Sequence, residues 1–369
     1  MSDRLTAARA LLGDLVGENA DAWDRAGLLP DEVLRKLAAQ GILCAQVPAE
    51  YGGIGASSLE NGEFTAYAGS LCSSLRSVMT SQGMAAWTVQ RLGTLEQRRL
   101  YLGELASGRL AAVGFSEPDA GSDLSAMAAE IRRDGDEIVL DGEKKWVTAA
   151  AYADLLLIVG RHEDGVAFAA VPATAPGVHV ERVADPMGCR AAGHANLRFD
   201  AVRLPAANLL GGTALPLPLV VTTALSYGRM SVAWGCVGIL RACLDAATRH
   251  AAGRRQSGKP LAEHQLVARH LAELLVSEQT ATRVCEHASR SWDAGSPDMV
   301  IESVLAKHTS AGHAARGAAS AVQVLASAGA QDGHVVARAY RDAKLMEIIE
   351  GSNEICQTIL ARHALTASR

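Results

Sequence analysis

The sequence predicts an α+β chain that is mainly α, with helices at both ends and a β-rich block between them. Three observations carry that expectation. Ala-rich segments with helical spacing of apolar residues fill both flanks. Short Val- and Ile-rich runs, separated by turn dipeptides, fill the middle. Hydrophobic residues make up 49% of the 369 residues and charged residues 20%, enough for a large core. Aromatics are only 4%, so that core must be aliphatic. The length suggests two or three units. We divide the chain into a helical region at 1–110, a β-region at 111–208 and a second helical region at 209–369.

The elements follow in order. Pro30, Asp31 and Glu32 suit a first helical turn, because Pro fits there and acids favour the positive end of the dipole. Val33, Leu34, Leu37 and Ala38 then form an apolar face, and Gly41 can end it. The stretch from Leu59 to Leu92 also has mainly helical spacing. Thr94-Leu95-Glu96-Gln97 is a capping-box pattern, and Gly108 can close the helix it opens. The character changes near Leu110. Asp134-Gly135 and Asp141-Gly142 are hairpin-type turn signals. Leu155–Val159, Val166–Val171, Val178–Val183 and Asn196–Val202 read as strands. Helical spacing returns after Gly212, over Ser226–Arg249, Leu261–Trp292, Met299–Gly329 and Asn353–Leu365. A helical bundle with an inserted sheet domain is the economical architecture, with clefts between domains.

Charge and cysteine content exclude several classes. The formal net charge is -5, against a broad nucleic-acid footprint. The Arg pairs at 98–99, 132–133 and 254–255 read as surface or locally paired charges. Seven cysteines, with no Cys-x-x-Cys, argue for buried reduced thiols rather than disulfides or a metal site. The acidic N-terminus lacks a secretory pattern, and no apolar run of about 18 residues stands out. Leu215–Ala224 is short and holds Pro216 and Pro218. A cytoplasmic protein that spans no membrane is expected.

Four segments can carry chemistry. Phe115-Ser116-Glu117-Pro118-Asp119-Ala120-Gly121-Ser122-Asp123 is a small-residue loop after a strand, which permits close backbone approach to a phosphate. Lys145-Trp146-Val147-Thr148 reads as a strand with an indole and a hydroxyl on one face, suited to a planar heterocycle. Arg254 to Leu261, followed by Glu263-His264-Gln265, is a basic loop between long helices. In Arg341 to Ile355, Glu350 follows two isoleucines and precedes Gly351. Partial desolvation there would raise its pKa towards that of a useful base. Ser352 or Asn353 can cap the next helix. Each segment alone is more often structural: a turn, a core Trp, a surface loop, an exposed Glu.

Together, in this order, the four segments resemble the acyl-CoA dehydrogenase family over nearly the whole chain. Met187-Gly188-Cys189-Arg190 and Val202-Arg203-Leu204-Pro205 add to the resemblance. It implies N-terminal helices, a central β-barrel-like domain, a C-terminal four-helix bundle, and FAD. It places Phe115 and Ser116 at the flavin ring and Gly121 and Ser122 near the pyrophosphate. Trp146 would pack on the isoalloxazine and Thr148 would bond near N5. From a second subunit, Arg254 would reach the pyrophosphate, with Gln265, Gln323, Val324 and Ser327 along the rest of the cofactor, which implies a homodimer or tetramer. Ser352 and Glu354 match flavin contacts, and Ser122, Arg229, Ile349 and Gly351 match positions at the substrate. Some members carry the base just before an Arg on a C-terminal helix. Here that residue is Gly228, before Arg229, which leaves Glu350 as the base. Ser257 stands where Phe is usual, Ala326-Ser327 where Gly-Gly is common, and Ile349 where Tyr often stands.

Ser70 to Gly83, Tyr227 to Gly238 and Lys344 to Glu350 resemble more narrowly the dehydrogenases of methoxymalonyl-acyl-carrier-protein biosynthesis. That resemblance implies a glyceryl-derived three-carbon thioester on an acyl carrier protein, oxidised towards hydroxymalonyl, with the electron acceptor unspecified. Two alternatives stand beside it: a conventional short-chain acyl-CoA α,β-dehydrogenase, and a cofactor-free binding protein on the same fold.

Overall fold

The computed structural model describes residues 3–367. An N-terminal helical domain leads into a curled sheet that forms a half-barrel, and a C-terminal helical domain closes the chain. The first helices are α1 (Asp3–Val16), α2 (Ala20–Ala26), α3 (Asp31–Ala39), α4 (Ser58–Leu71) and α5 (Ser73–Leu92). Pro30 is the N-cap of α3, so the first turn opens at Asp31, one residue later than its sequence suggests. The Thr94 capping box forms in both directions. It opens α6 (Leu95–Gln97), which runs through a wide turn over Arg98–Leu102 into α7 (Gly103–Ser107).

The sheet contains β1 (Ala111–Gly114), β2 (Glu130–Asp134), β3 (Glu137–Val147), β4 (Leu155–His162), β5 (Gly165–Pro172), β6 (Val178–Arg182) and β7 (Ala195–Pro205). Its order is β1-β4-β2-β3-β7-β6, with β5 antiparallel to β4. Strand β4 is buried along nearly its whole length. Leu155, Leu157 and Val159 join the core under the helices, while Leu156 and Ile158 join a core inside the curled sheet. That double burial explains its unbroken apolar run.

Two of the sequence expectations for this domain need adjusting. Asp134-Gly135 does turn the chain between β2 and β3, with Gly135 at φ 63. Asp141-Gly142 does not. It lies inside β3, where Gly142 (φ 130) sits at a register shift against β7. Tertiary pairing has converted a turn signal into a bulge. The second bulge lies between Lys144 and Val147, so Trp146 (φ 55) is not in regular strand geometry and Thr148 lies just beyond the strand.

The C-terminal domain comprises α8 (Leu217–Gly253), α9 (Gln265–Asp293), α10 (Met299–Leu325), α11 (Val335–Met346) and α12 (Asn353–Ala367). The short hairpin β8 (Arg255–Gln256) and β9 (Lys259–Pro260) joins α8 to α9. Helix α8 begins well before Ser226. Pro216 is its N-cap and Pro218 lies in its first turn, where proline is tolerated. By length and apolarity α8 could cross a bilayer, contrary to the sequence expectation that no segment could. It is a core helix: 78% of its most apolar window is buried in the protein. Helix α11 was not anticipated as an element. It is tied down by Arg341, which pairs with the buried Asp24 of α2 and donates to the Met187 carbonyl, and by Asp342, which accepts from the Cys189 N–H at 2.6 Å. All seven cysteines are free and buried.

Candidate active site

Glu350 lies in the turn between α11 and α12, and the fold holds that turn from below. Lys307 of α10 is 0% exposed. Its Nζ donates to the carbonyls of Gly351 (2.7 Å) and Glu347 (3.3 Å) and to Asn353 Oδ1 (3.4 Å). Arg229 of α8 is 4% exposed, and its Nε donates to the Glu350 carbonyl at 3.1 Å. Asn353 N–H closes the turn on the Glu347 carbonyl, and Ser352 Oγ accepts from the Ile355 N–H at the start of α12. These bonds oppose a local cost. Glu350 has φ 57 and Gly351 φ 90. A non-glycine residue held there costs about 1–3 kcal/mol and persists only when its surroundings impose it.

The side chain of Glu350 lies over Gly228. A Cβ at position 228 would stand 2.2 Å from Oε2 and 2.5 Å from Cδ, so the carboxylate occupies the space a side chain would need. The residue as a whole is only half-buried, but Oε2 is shielded from solvent and has no hydrogen-bond partner among the described residues. Burial raises the Glu350 pKa above its ordinary value, and the charges of Arg229, Lys307 and Arg76 oppose that rise. A carboxylate with one oxygen unspent and a raised pKa is equipped to accept a proton.

Beside it lies an unusual polar interior. Helix α5 is almost wholly buried, yet carries Ser73, Ser74, Arg76, Ser77, Thr80, Ser81 and Gln82. Arg76 is 1% exposed. It donates to Thr80 Oγ1 at 3.1 Å and reaches Met346 Sδ at 3.0 Å, while its Nε has no partner. Thr80 in turn bonds Ser231 of α8 at 2.7 Å. One turn back along α8, Tyr227 lines a cavity of only about 10 Å³ with Asn61, Trp234 and Trp292. That is room for about one water molecule.

A second cluster sits at the end of β3. The Trp146 indole is 55% exposed and stands 5.8 Å from the His194 ring. Thr148 Oγ1 is 3.3 Å from His194 Nδ1, and the Thr148 carbonyl accepts from Ser81 Oγ at 3.0 Å. Trp146 and Thr148 thus share a side through His194, despite the bulge between them. The loop after β1 is anchored by a buried ion pair, Lys144 to Glu117 at 2.6 Å. Glu117 also accepts from the N–H groups of Ala128 and Ala129. Burial draws the Lys144 pKa down to about 8 against the pull of Glu117. Phe115 packs edge-on to Phe168 in the core, Ser116 is half-buried, and Gly121 and Ser122 are exposed. A Cβ on Gly121 would meet nothing within 4 Å, so the turn is open to approach.

The remaining sequence candidates divide by place. Ile349 and Gly351 flank Glu350 and are half-buried, and Glu354 is exposed on the first turn of α12. Arg254, Gln265, Gln323 and Ser327 are exposed at the ends of α8, α9 and α10, with Val324 buried beside them. They are surface residues in the single chain.

Three family models now cover this architecture end to end. The acyl-CoA dehydrogenase N-terminal domain matches residues 4–109, the middle domain 112–202 and the C-terminal domain 219–365. The chain belongs to the acyl-CoA dehydrogenase family. It is 33% identical over 358 residues to the probable acyl-CoA dehydrogenase YngJ of Bacillus subtilis (strain 168), covering 95% of this chain and 94% of that one. It is 31% identical to the glutaryl-CoA dehydrogenase of Desulfococcus multivorans, covering 93% and 90%. Among solved structures, FkbI is described as serving biosynthesis of the methoxymalonyl extender unit of the polyketide immunosuppressant Fk520. It is 62% identical, with a TM-score of 0.93 over 97% of this chain and 99% of that one. Butyryl-CoA dehydrogenase from Megasphaera elsdenii gives a TM-score of 0.94 at 25% identity, over 99% of both chains. The protein is a flavin-dependent oxidoreductase acting on thioesters, as its family is.

Several residues that the fold brings to the candidate site are not singled out by the sequence. Lys307 and Arg76 are charges set among small and apolar helical neighbours, a pattern that signals a buried, employed cation. Gly228 was read only as an absent base, although its lack of a side chain is what seats Glu350. His194 carried no local signal, since its partners Trp146 and Thr148 are distant in sequence.

Proposed function

We propose that Glu350 is the catalytic base of an FAD enzyme. Its substrate is a glyceryl-derived three-carbon thioester on an acyl carrier protein, oxidised towards hydroxymalonyl and methoxymalonyl units for polyketide assembly. The unpartnered Glu350 Oε2, seated over Gly228, carries the assignment of the base. The substrate class draws support from the 62% identity to FkbI over nearly the full length of both chains. It also draws support from the polar interior: an enclosed Arg76 with Thr80 and Ser231 suits an oxygenated acyl unit better than a hydrocarbon tail.

The residues assigned to FAD suit a flat ring with polar edges. Trp146 offers an exposed indole face, Ser116 and Thr148 offer hydroxyls, and the Gly121-Ser122 turn is open. Bound FAD supplies the hydride acceptor. Glu350 takes the proton from the substrate hydroxyl, or from the hydrate of the aldehyde, as hydride leaves the same carbon and a carbonyl or carboxyl group forms. Arg229 and Lys307 hold the backbone on either side of the base, so the carboxylate needs no reorganisation. The active form is at least a homodimer, in which Arg254, Gln265, Gln323, Val324 and Ser327 serve the neighbour's cofactor. Its place is the cytoplasm.

Mass spectrometry of a glyceryl-loaded carrier protein incubated with the enzyme tests the assignment. Loss of two hydrogens, or a net gain of oxygen from the aldehyde, is expected. An unchanged carrier protein, with short acyl-CoAs oxidised instead, would sink it in favour of acyl-CoA α,β-dehydrogenation. Similarity over 94% of this chain to the short-chain specific acyl-CoA dehydrogenase of Mus musculus, at 29% identity, favours that second reading. There Glu350 would remove the proton α to the thioester.

A further inference from the structure

His194 is buried, 8% exposed, and bonds through one ring nitrogen only. Nδ1 meets Thr148 Oγ1 at 3.3 Å, and Nε2 is shielded from solvent with no partner among the described residues. Its position is firmly built. The His194 carbonyl accepts from the Val183 N–H at 2.9 Å, and Ala195, next in the chain, pairs with Val147 across β7 and β3.

The two tautomers of a neutral ring are not equivalent here. With the proton on Nε2, a buried N–H would have no acceptor, the rarer and costlier kind of unsatisfied group. With the proton on Nδ1, the ring donates to Thr148 Oγ1, and only a lone pair on Nε2 is left bare. The second arrangement is favoured. It has a consequence for Thr148, whose hydroxyl carries one proton and now accepts from His194. Thr148 cannot spend that proton on the ring, and its side chain has no other hydrogen bond among the described residues. We propose that His194 is a positioning residue which, by donating from Nδ1, turns the Thr148 hydroxyl outward as a hydrogen-bond donor to the acceptor edge of the flavin. The ring is neutral at ordinary pH, because burial and then the charges of Arg76 and Arg182 lower its pKa to about 4. Neutrality is what makes the choice of tautomer matter.

This inference rests on the flavin reading of Trp146 and Thr148, and the experiment separates the two. FAD dissociation constants are measured by fluorescence titration of deflavinated protein, with the visible spectrum of each reconstituted holoenzyme. The set comprises wild type, His194→Leu, His194→Asn, Thr148→Val and the Thr148→Val/His194→Leu double variant. Leu removes the donor and keeps much of the bulk, while Asn returns an N–H to the Nδ1 position. His194→Leu is expected to weaken FAD binding about 3- to 10-fold, the worth of one oriented hydrogen bond. It should also shift the flavin absorption band, and His194→Asn should restore both. In the Thr148→Val background, His194→Leu should add nothing further. Additive losses, failure of Asn to restore, or unchanged affinity in His194→Leu would each overturn the proposal while leaving the flavin reading intact. A wild-type protein that takes up no FAD would overturn both.

Discussion

The Glu350 turn and the Trp146–Thr148–His194 shelf lie in one molecule but are built by opposite logic. At the turn, the carbonyls of Glu347, Glu350 and Gly351 are each met by a buried cation, and a left-handed Glu is held in place by its surroundings. At the shelf, an indole is half in solvent, an imidazole nitrogen has no partner and a hydroxyl has one bond. The turn holds its backbone within a single chain and leaves a carboxylate oxygen unmet, while the shelf leaves an indole face and an imidazole nitrogen unmet. On the proposed reading, the difference separates the base from the groups that would receive the cofactor. Rigidity in the first keeps reorganisation low. Unsatisfied polarity in the second is what a bound ligand would meet.

The strongest break in that contrast is Glu350→Gln. It should keep FAD bound and slow flavin reduction by about 10²–10⁴-fold, the usual worth of a general base. Anaerobic stopped-flow bleaching reads it directly, and near-normal reduction would remove Glu350 from its role. Gly228→Ala comes next. The new Cβ would fall 2.2 Å from Oε2, so the carboxylate must move. A displacement of that kind is worth about 10²-fold in kcat, with melting temperature and FAD affinity nearly unchanged. A variant with full activity would mean that the observed seat of the carboxylate is not the working one. Lys307→Met tests the support rather than the base. It strips the Gly351 and Glu347 carbonyls of their buried donor. Thermal unfolding should report a loss of about 1–3 kcal/mol, with flavin reduction slowed as the turn relaxes.

What the sequence revealed, and what it hid, follows the same division. Local signals were readable where local physics decides: the Thr94 capping box, the Pro30 helix start, the Gly135 turn and the uninterrupted Leu155–Val159 strand. Signals failed where tertiary pairing decides. Asp141-Gly142 has turn chemistry, but β7 holds it as a bulge. Pro216 and Pro218 suggested an interruption and instead open the longest helix. At the candidate site, Glu350 was singled out through its ordered neighbours along the chain. Lys307, Arg76 and His194 were not, because each acts on residues distant in sequence, across helices or across the sheet. A cation's burial is a property of the fold and leaves only a faint mark in sequence.

The last expected effect concerns acid stability and belongs to the shelf. His194 has a folded pKa of about 4, below its ordinary 6.5, because burial and the charges of Arg76 and Arg182 disfavour the imidazolium. Above pH 6.5 the ring is neutral in folded and unfolded chains alike, and its contribution to stability is fully present. As pH falls from 6.5 towards 4, the unfolded chain binds a proton that the folded one refuses, so stability is lost across that window. Glu350 and Asp342 have raised pKa values and act with the opposite sign, gaining stability as they protonate on acidification. His194→Asn removes the His194 share alone. Its melting temperature should therefore fall less steeply than that of wild type between pH 6.5 and 4, and the two should run parallel above pH 7. Equal slopes through the acid window would mean that the ring takes up its proton in the folded state. The Nδ1–H arrangement at Thr148 would then hold with a charged imidazolium rather than a neutral ring, and the shelf would be more open to water than its burial implies.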